Sequence, residues 1–511
     1  MSQKATDYLN ISRAESLKNP KERFLYRLLE ILPGFLSWST LIGAFLFSWL
    51  VPAGVAIFII LFDLYWLLKT AYLSFHQISS FKQMKKNIKT DWIEKLEHLG
   101  DWKRIYHIVV LPMYKEGKEI IRSSCQSLVN SKYPKEKIII VLSAEERAGK
   151  KATQIAQELK KEFSGKFLKF FVTTHPQNLP GEVIGKGSNT AWAIKEAKEK
   201  IIKPLNLRYE DILVSTFDID TKPYPQYFSC LTFHYLTTEN PLRSSYQPIP
   251  IYNNNVWTAP NFSRVIATSN TFWQMMQQDR PEAMITYSSH ATPFKVLNEV
   301  GYPKNIVPDD SRIFWKSYLF YNGDYKVVPL HYPVSMDAVL AKSLFRTAIN
   351  QYKQQRRWAW GCVDIPFLLF GFIKNKKISL SKKLYYSWDI LEGFLSWATV
   401  SLLIFFLGWL PLLLGGDNFN ITLLSYNLPV ATRNLMTISM VGVLASCIIS
   451  FLILPPKPKG VGKTKNLSLL LQWMLLPFTL IFFGSIPAID AQTRLIFGKY
   501  LGFWVTEKIR L

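Results

Sequence analysis

Two aspartates separated by a single residue, Asp218 and Asp220, are the most chemically suggestive feature of this chain. They follow residues 212–217, a largely apolar run that predicts a buried strand, so both carboxylates are expected to leave the strand end in the same direction. Two unpaired acids this close repel each other. A hard divalent cation relieves the repulsion by taking oxygen ligands from the protein and from a diphosphate. The pattern predicts a metal–diphosphate site, and a solvated surface turn is the alternative.

A second candidate group contains Gln354, Arg356, Arg357 and Trp358. If residues 347–360 form a helix, residues four apart share a face, so Gln354 and Trp358 lie together with Arg357 beside them. An amide, an aromatic ring and a guanidinium suit a sugar and a phosphate. A basic and aromatic helix that only anchors the chain at a membrane surface is the alternative.

The elements that must position these side chains alternate between short apolar runs and helical patterns. The predicted strands cover residues 108–111, 138–142, 168–173 and 212–217, and the predicted helices cover residues 119–131, 152–163 and 189–203. This alternation argues for a largely parallel sheet covered by helices. Ligands of such sheets bind beyond the carboxyl ends of the strands, so the informative residues are expected just after each run.

Long apolar segments flank this central region on both sides. The chain has 511 residues, of which 49% are hydrophobic and 14% aromatic. Apolar runs near the roughly 20 residues of a membrane span cover residues 32–49, 55–72, 390–414, 436–454 and 469–486. Pro52, Ala53 and Gly54 separate the first two runs and predict a helical hairpin. We therefore expect a multi-pass integral membrane protein, and the polar residues 1–27 show no cleavable signal peptide.

Lysines and arginines beside these runs predict the orientation of the chain. They cluster before the first run, after the second, before the third and between the fourth and fifth, whereas the loop of residues 417–433 has one basic residue. That loop is expected to lie outside and the central region in the cytoplasm. The basic tail conflicts with five single spans, so either residues 469–491 are re-entrant or the tail lies on the outer face.

The expected organisation has four parts. Residues 1–30 form a cytoplasmic segment, residues 31–76 a transmembrane hairpin, residues 77–375 a cytoplasmic domain that ends in the interfacial helix, and residues 376–511 a membrane region with about three spans. The formal charge of +24 is explained by lysines that bind anionic lipid headgroups. No nucleic acid is expected as a partner, because the chain has no zinc-finger, helix-turn-helix or ribonucleoprotein signature. Its four cysteines show no C-x-x-C pair, which argues against a zinc site and a disulfide framework.

Taken together, the motifs resemble those of the membrane-embedded family 2 glycosyltransferases of the Q-x-x-R-W type, the group of cellulose, hyaluronan and chitin synthases and of many bacterial envelope enzymes. Asp218 and Asp220 match the D-x-D motif that holds Mg²⁺ or Mn²⁺ on a nucleotide-sugar, and residues 354–358 match Q-x-x-R-W. The resemblance covers residues 108–360 and extends loosely to the membrane part. Residues 504–508 are similar to a W-x-T-x-K segment that follows the last spans in some of these enzymes.

The donor pocket of the family is matched only in part. Pro112, Tyr114 and Glu116 resemble the P-x-Y-x-E segment, which implies that the aromatic ring and the carboxylate line the nucleotide pocket. Residues 143–147 depart from the Asp-Asp-Gly with which family members hold uracil. Glu145 or Glu146 would have to substitute, a solvated charge pair is the alternative, and the identity of the base stays open.

Three further residues gain a role from the resemblance. Lys186, in a segment with two glycines, is similar to the family's K-x-x-x-N lysine and implies a contact with a phosphate, although a flexible glycine-rich loop is the alternative. Asp309 and Asp310 stand where the family carries Glu-Asp. The resemblance implies that Asp310 is the general base, supported by Asp309, and that metal and cations stabilise the departing diphosphate. A helix N-cap is the alternative role.

The resemblance implies an α/β GT-A fold inserted between α-helical transmembrane segments, in the inner membrane of a bacterium. The implied reaction is inverting transfer of a sugar from a nucleotide-sugar, with UDP as the expected carrier, to a growing polysaccharide at the membrane. Arg357, with Arg356 beside it, would face the diphosphate, and Trp358 would stack on the acceptor sugar. Transfer of one sugar to a lipid acceptor and a non-catalytic membrane scaffold that binds a nucleotide-sugar are the alternatives.

Overall fold

Two long apolar helices open the chain and meet in a tight corner. In the computed structural model, which describes residues 7–460, 462 and 464–504, α1 (Pro20–Leu50) is followed after one residue by α2 (Pro52–Lys89). Both helices begin with a proline, whose missing N–H would have no helical partner at that position. Two helices thus stand where the hairpin was predicted, and both extend beyond the apolar runs into polar sequence.

The described residues contain an eight-stranded mixed sheet in the middle of the chain. The strands are β1 (Tyr106–Met113), β2 (Ile138–Glu145), β3 (Lys169–His175), β4 (Ile212–Thr216), β5 (Lys222–Pro223), β6 (Ser244–Ile251), β7 (Ala291–Pro293) and β8 (Lys326–Ser335). Their spatial order is β3-β2-β1-β4-β7-β6-β8-β5. The first four strands pair in parallel, as the alternating pattern predicts. β7 and β5 run antiparallel to their neighbours, so the sheet is mixed rather than largely parallel.

Helices cover both faces of this sheet. They are α3 (Trp92–Glu97), α4 (Lys118–Val129), α5 (Lys150–Phe163), α6 (Lys186–Ala197), α7 (Tyr227–Thr237), α8 (Asn261–Gln278), α9 (Phe294–Val300) and α10 (Asp309–Phe320). Along β1, Ile108 and Val110 lie in one hydrophobic core, and Val109 and Leu111 lie in the other. Successive strand residues point to opposite faces, so a strand with helices on both sides is apolar throughout.

A polar and aromatic helix follows the last strand. α11 (Leu344–Ala359) contains the Q-x-x-R-W residues and confirms the helix predicted there. It begins at Ser343, whose hydroxyl accepts a hydrogen bond from the backbone N–H of Arg346 at 3.2 Å. Leu344 and Phe345 are 69% and 76% exposed, which suits the surface of a membrane. The apolar α12 (Asp364–Lys374) continues the chain.

The C-terminal part is a cluster of apolar helices. These are α13 (Leu380–Leu402), α14 (Leu410–Leu414), α15 (Gly416–Asn420), α16 (Leu423–Leu452), α17 (Thr464–Leu471), α18 (Leu476–Leu480) and α19 (Ile486–Ile496). The loop predicted for residues 417–433 is wrong for most of its length, because Thr422 caps α16 by accepting from the N–H of Ser425. Arg433 is therefore a helical residue.

Five helical segments of the described chain have the length and hydropathy of membrane spans, and the last is Thr464–Ile496. That segment is not α-helical throughout, because a 3-10 turn at Gln472–Leu475 and a π turn at Ile481–Ser485 interrupt it. Near one end Ser468 bonds Asn261 of α8 at 3.0 Å, and near the other end Asp490 bonds Arg356 of α11 at 2.8 Å. Both ends of this segment therefore contact the central region, and the choice between a re-entrant segment and a full span stays a prediction.

We expect cysteine labelling to report this arrangement. In a background without the four native cysteines, Lys86→Cys, Lys459→Cys and Lys499→Cys should be protected from an impermeant maleimide in intact cells, whereas Asn418→Cys should react. Permeabilised cells serve as the control, because all four positions should react there. Labelling of Lys499→Cys from outside would show that the last segment crosses the membrane, and labelling of Lys86→Cys would place the sheet outside.

Candidate active site

A cavity of about 1790 Å³ lies at the carboxyl ends of β1, β2 and β4 and continues between the apolar helices. Most of the residues predicted to bind substrate line it: Pro112, Tyr114, Glu116, Glu145, Lys186, Asp218, Asp220, Asp309, Asp310, Gln354, Arg357 and Trp358. They come from loops and helices far apart in sequence. Their convergence is the expected behaviour of side chains that follow the strands of a parallel sheet.

The ammonium group of Lys186 is at the centre of the acidic wall. Its Nζ lies 2.7 Å from Asp218 Oδ1 and 2.9 Å from both carboxylate oxygens of Asp310. Burial lowers the pKa of Lys186, but the carboxylates of Asp218, Asp310 and Asp309 outweigh burial and raise it above its ordinary value. Lys186 was expected to meet a phosphate. In this structure it pairs with the carboxylates of Asp218 and Asp310, and the phosphate contact stays a prediction.

Glycine is required beside Lys186 because two elements approach closely there. A Cβ atom on Gly187 would lie 2.9 Å from Asp309 Cβ and 2.9 Å from the carbonyl oxygen of Pro303. The first turn of α6 therefore packs directly on the first turn of α10. This contact lets Lys186 reach Asp310, so the segment is a packed helix start and not a flexible loop.

The D-x-D carboxylates are held by neighbouring donors. Asp218 accepts from the hydroxyl of Ser288 at 2.8 Å, and Asp220 accepts from the backbone N–H of Asp337 at 2.8 Å. Carboxylate oxygens at a cavity wall fit a hard divalent cation that a diphosphate helps to ligate. Within the described ranges, no three His, Cys, Asp or Glu side chains are grouped so as to hold a metal. Any cation at Asp218 must therefore compete with Lys186 and take further ligands from the substrate.

Asp309 and Asp310 are the first two residues of α10. Neither is the N-cap, which is Pro308, and no side chain caps this helix. Asp309 is buried and accepts from the hydroxyl of Tyr302 at 2.9 Å. Burial, together with the charge of Asp310, raises the pKa of Asp309 to about 7. Asp310 is partly exposed to the cavity.

His290 is a neighbour of Asp310 that sequence reasoning did not identify. Its Nδ1 donates to the carbonyl oxygen of Tyr287 at 2.9 Å and lies 3.7 Å from Asp310 Oδ1. Burial lowers the pKa of His290, although the Asp310 charge opposes this. No sequence motif marks such a residue, because the turn before β7 brings it next to Asp310 only in the folded chain.

The two glutamates after β2 have different surroundings. Glu145 ends the strand, is buried and forms an ion pair with Arg147. The guanidinium of Arg147 lies 4.0 Å from the ring centroid of Tyr114. Glu146 instead accepts from the backbone N–H of Gln177 at 2.9 Å and does not appear in the lining. Of the two glutamates, Glu145 is therefore the one that lines the cavity.

The two adjacent arginines of α11 have different partners. The guanidinium of Arg357 faces the cavity, 5.0 Å from the ring centroid of Phe503. Arg356, which was expected to stand beside it at the diphosphate, bonds Asp490 of α19. The two side chains diverge because neighbouring residues of a helix project about 100° apart. Trp358 lines the cavity near Tyr252, with ring centroids 6.4 Å apart. Of the predicted W-x-T-x-K segment, only Trp504 is among the described residues.

Charged side chains also line the part of the cavity between the apolar helices. Asp63 and Lys69 of α2, Asp389 and Glu392 of α13 and Arg433 of α16 are among them. Lys69 and Glu392 form an ion pair at 2.5 Å. Sequence reasoning missed these residues, although a signal was present: charges inside membrane-length apolar runs usually face a polar cavity.

No family model matches this chain, and no curated protein matches it. Among solved structures it is similar to a mannosyltransferase from Pyrobaculum calidifontis in complex with GDP-Man and Mn²⁺, with 14% identity, a TM-score of 0.41 and coverage of 78% of this chain and 98% of that one. It is also similar to residues 1–349 of S. aureus TarS in complex with UDP-GlcNAc, with 10% identity, a TM-score of 0.37 and coverage of 78% and 93%. These neighbours are glycosyltransferases.

Asp309 predicts a pH dependence of stability. The folded protein keeps a proton on this carboxyl up to about pH 7, whereas the unfolded chain releases it near the ordinary value of 3.8. The free energy of unfolding should therefore fall as pH rises through this window. Asp309→Asn removes this dependence, so the variant should gain apparent Tm relative to the wild type between pH 5 and pH 8.

Asp324→Asn is the matched control, since 74% of that side chain is exposed. It should leave the Tm curve of the wild type unchanged. Parallel Tm curves for the wild type and Asp309→Asn would show that Asp309 ionises like an ordinary surface carboxyl.

Proposed function

We propose that this protein is an inverting glycosyltransferase of family 2, with a GT-A domain inserted between transmembrane helices, that extends a polysaccharide from a nucleotide-sugar. One observation carries the proposal: a single lined cavity contains the D-x-D carboxylates, Asp310, Arg357 and Trp358 and continues between charged apolar helices. The nucleotide-sugar would meet the D-x-D carboxylates and Arg357, and the acceptor sugar would meet Asp310 and Trp358. The product would leave between the apolar helices.

The donor would enter at the strand ends. Tyr114, Glu116 and Glu145 offer an aromatic face and two carboxylates to the base and ribose. Asp218 and Asp220 would hold Mg²⁺ or Mn²⁺, which supplies charge stabilisation of the departing diphosphate. Arg357 provides a second cation for that diphosphate, in a geometry that suits phosphate oxygens.

Asp310 would accept the proton from the acceptor hydroxyl as that oxygen attacks the anomeric carbon. Its carboxylate faces the cavity and is aligned by two Lys186 contacts and by the α10 backbone, whose Asp310 carbonyl accepts from Thr286 at 2.6 Å. Asp309 lies behind it, bonded to Tyr302, and supports the first turn of the helix. Trp358 would stack on the acceptor sugar.

The charged lining between the apolar helices favours a hydrophilic chain as the acceptor. Asp63, Lys69, Glu392 and Arg433 would be costly in contact with lipid, but they can bond the hydroxyl groups of a polysaccharide. We place the protein in a bacterial inner membrane, with the sheet in the cytoplasm, where nucleotide-sugars are made. Membrane lipids surround the apolar helices.

Transfer of one sugar to a lipid acceptor is the second candidate. It is favoured by the aromatic and aliphatic residues that also line the cavity, such as Trp397, Phe405 and Trp409. The length of the product on a gel separates the two candidates: a ladder or a long polymer supports polysaccharide synthesis, and a single lipid-linked sugar supports the second.

The metal assignment yields a test of the whole proposal. Detergent-solubilised protein should release nucleotide from one member of a panel of UDP- and GDP-sugars, EDTA should abolish this release, and Mn²⁺ or Mg²⁺ should restore it. Asp220→Asn should lose release while its Tm stays near that of the wild type, and Asp324→Asn should keep full activity. Absence of release with every donor would support the non-catalytic scaffold, and release in EDTA would remove the metal role.

Asp310→Asn tests the general base. The substitution keeps the shape of the side chain and one acceptor oxygen, whereas loss of a general base lowers the rate by roughly 10² to 10⁴. We expect a folded variant that binds the nucleoside diphosphate and transfers sugar at that reduced rate. Near-wild-type turnover would exclude Asp310 as the base, and the same measurement on Asp309→Asn would then examine the next candidate.

A further inference from the structure

Four side chains form a polar cluster between α11 and α19, which we call the Asp490 cluster: Tyr352, Arg356, Asp490 and Arg494. Asp490 Oδ2 accepts from Arg356 Nη1 at 2.8 Å and from the hydroxyl of Tyr352 at 3.0 Å, and Oδ1 accepts from Arg494 Nε at 2.7 Å. Asp490 is partly buried, with 24% of its side chain exposed. One carboxylate thus fixes two residues of α11, one helical turn apart.

The position of Arg356 on its helix determines where Arg357 points. Adjacent helical residues project about 100° apart around the axis. With Arg356 bonded to Asp490, the next side chain, Arg357, faces the cavity. Rotation of α11 about its axis would move Arg357 and Trp358 together. The bond between Arg356 and Asp490 opposes this rotation.

The position of α19 is itself fixed by hydrogen bonds to two other helices, α1 and α13. Ser37 of α1 donates to Gln492 at 2.6 Å, and Trp38 donates to Thr493 at 2.8 Å. Gln492 in turn donates to the carbonyl oxygen of Phe394 in α13 at 2.9 Å. A Cβ atom on Gly34 would lie 2.8 Å from the carbonyl oxygen of Gln492, so α1 and α19 are in close contact.

We infer that Asp490 is a positioning residue that acts through Arg356 to aim Arg357 at the diphosphate of the donor. The inference rests on the proposed function, in which Arg357 binds that diphosphate. It assigns a role in the reaction to a residue on the last apolar helix. Asp490 touches no substrate, and its effect passes through the orientation of α11.

The first test compares single variants. Asp490→Asn keeps the shape of the side chain but removes the charge that holds two arginines, and it should lower kcat/KM for the nucleotide-sugar by roughly 10- to 100-fold, since small displacements of a binding group have effects of this size. Asp490→Glu should recover most of the activity. Glu162→Gln, which removes the carboxylate of the surface ion pair with Arg122, is the matched control and should leave kcat/KM unchanged.

The decisive test is a double-mutant cycle with Arg357→Gln. If Asp490 acts through Arg357, Asp490→Asn should change kcat/KM by less than about 2-fold in the Arg357→Gln background, because the two changes remove the same interaction. A merely structural role predicts that the two losses multiply. Multiplied losses, or full activity of Asp490→Asn, would overturn the inference.

The cycle is also measured on binding of UDP and GDP by calorimetry, without any turnover. A wild-type protein that transfers no sugar would refute the proposed function, while the binding cycle still reports whether Asp490 and Arg357 are coupled. A wild-type protein that transfers sugar but shows independent effects of the two residues would refute only the positioning role. Should Asp490→Asn fail to fold, Arg356→Gln gives the same cycle from the other side of the bond.

Discussion

The ammonium of Lys186 is the charge that allows the acidic wall of the cavity to form. Asp218 and Asp310 bond it directly, and the charge of Asp309 also acts on it. Carboxylates from a strand end and from a helix start would otherwise repel each other across a poorly solvated space. The cost is still visible at Asp309, whose pKa is raised. A cavity wall with several carboxylates is therefore stabilised by an internal cation that offsets their repulsion.

The same electrostatic reasoning applies between the apolar helices. Asp63, Lys69, Glu392 and Arg433 would be unfavourable against hydrocarbon, and all of them line the cavity instead. Charged side chains therefore line the cavity along its whole length, from the strand ends to the space between the apolar helices. Under the proposed function, one continuous cavity would serve both as the reaction site and as the exit for a hydrophilic product.

The periodic patterns of the sequence predicted the strands and helices well. They predicted poorly which side chains contact each other. The four parallel strands and the α11 helix agree with the apolar runs to within a few residues, because burial on both faces leaves a clear signal in the sequence. The sequence did not show that Arg356 and Arg357 face different partners. The orientation of Arg356 depends on Asp490, about 130 residues away in α19. The loop assigned to residues 417–433 failed because hydropathy ignores the cap at Thr422.

The contacts of the central region show why its sequence boundaries are hard to define. Arg356 bonds Asp490, Arg264 bonds Gln472 at 2.7 Å, and Arg312 bonds the carbonyl oxygen of Ile11 at 3.1 Å. Each of these bonds joins residues 77–375 to a segment outside them. A truncated central region would lose one bond at each of these guanidinium groups, and Arg264 and Arg312 are buried, where a lost bond is costly. The apolar helices are therefore part of the site's construction, since they hold the helix that carries Arg357.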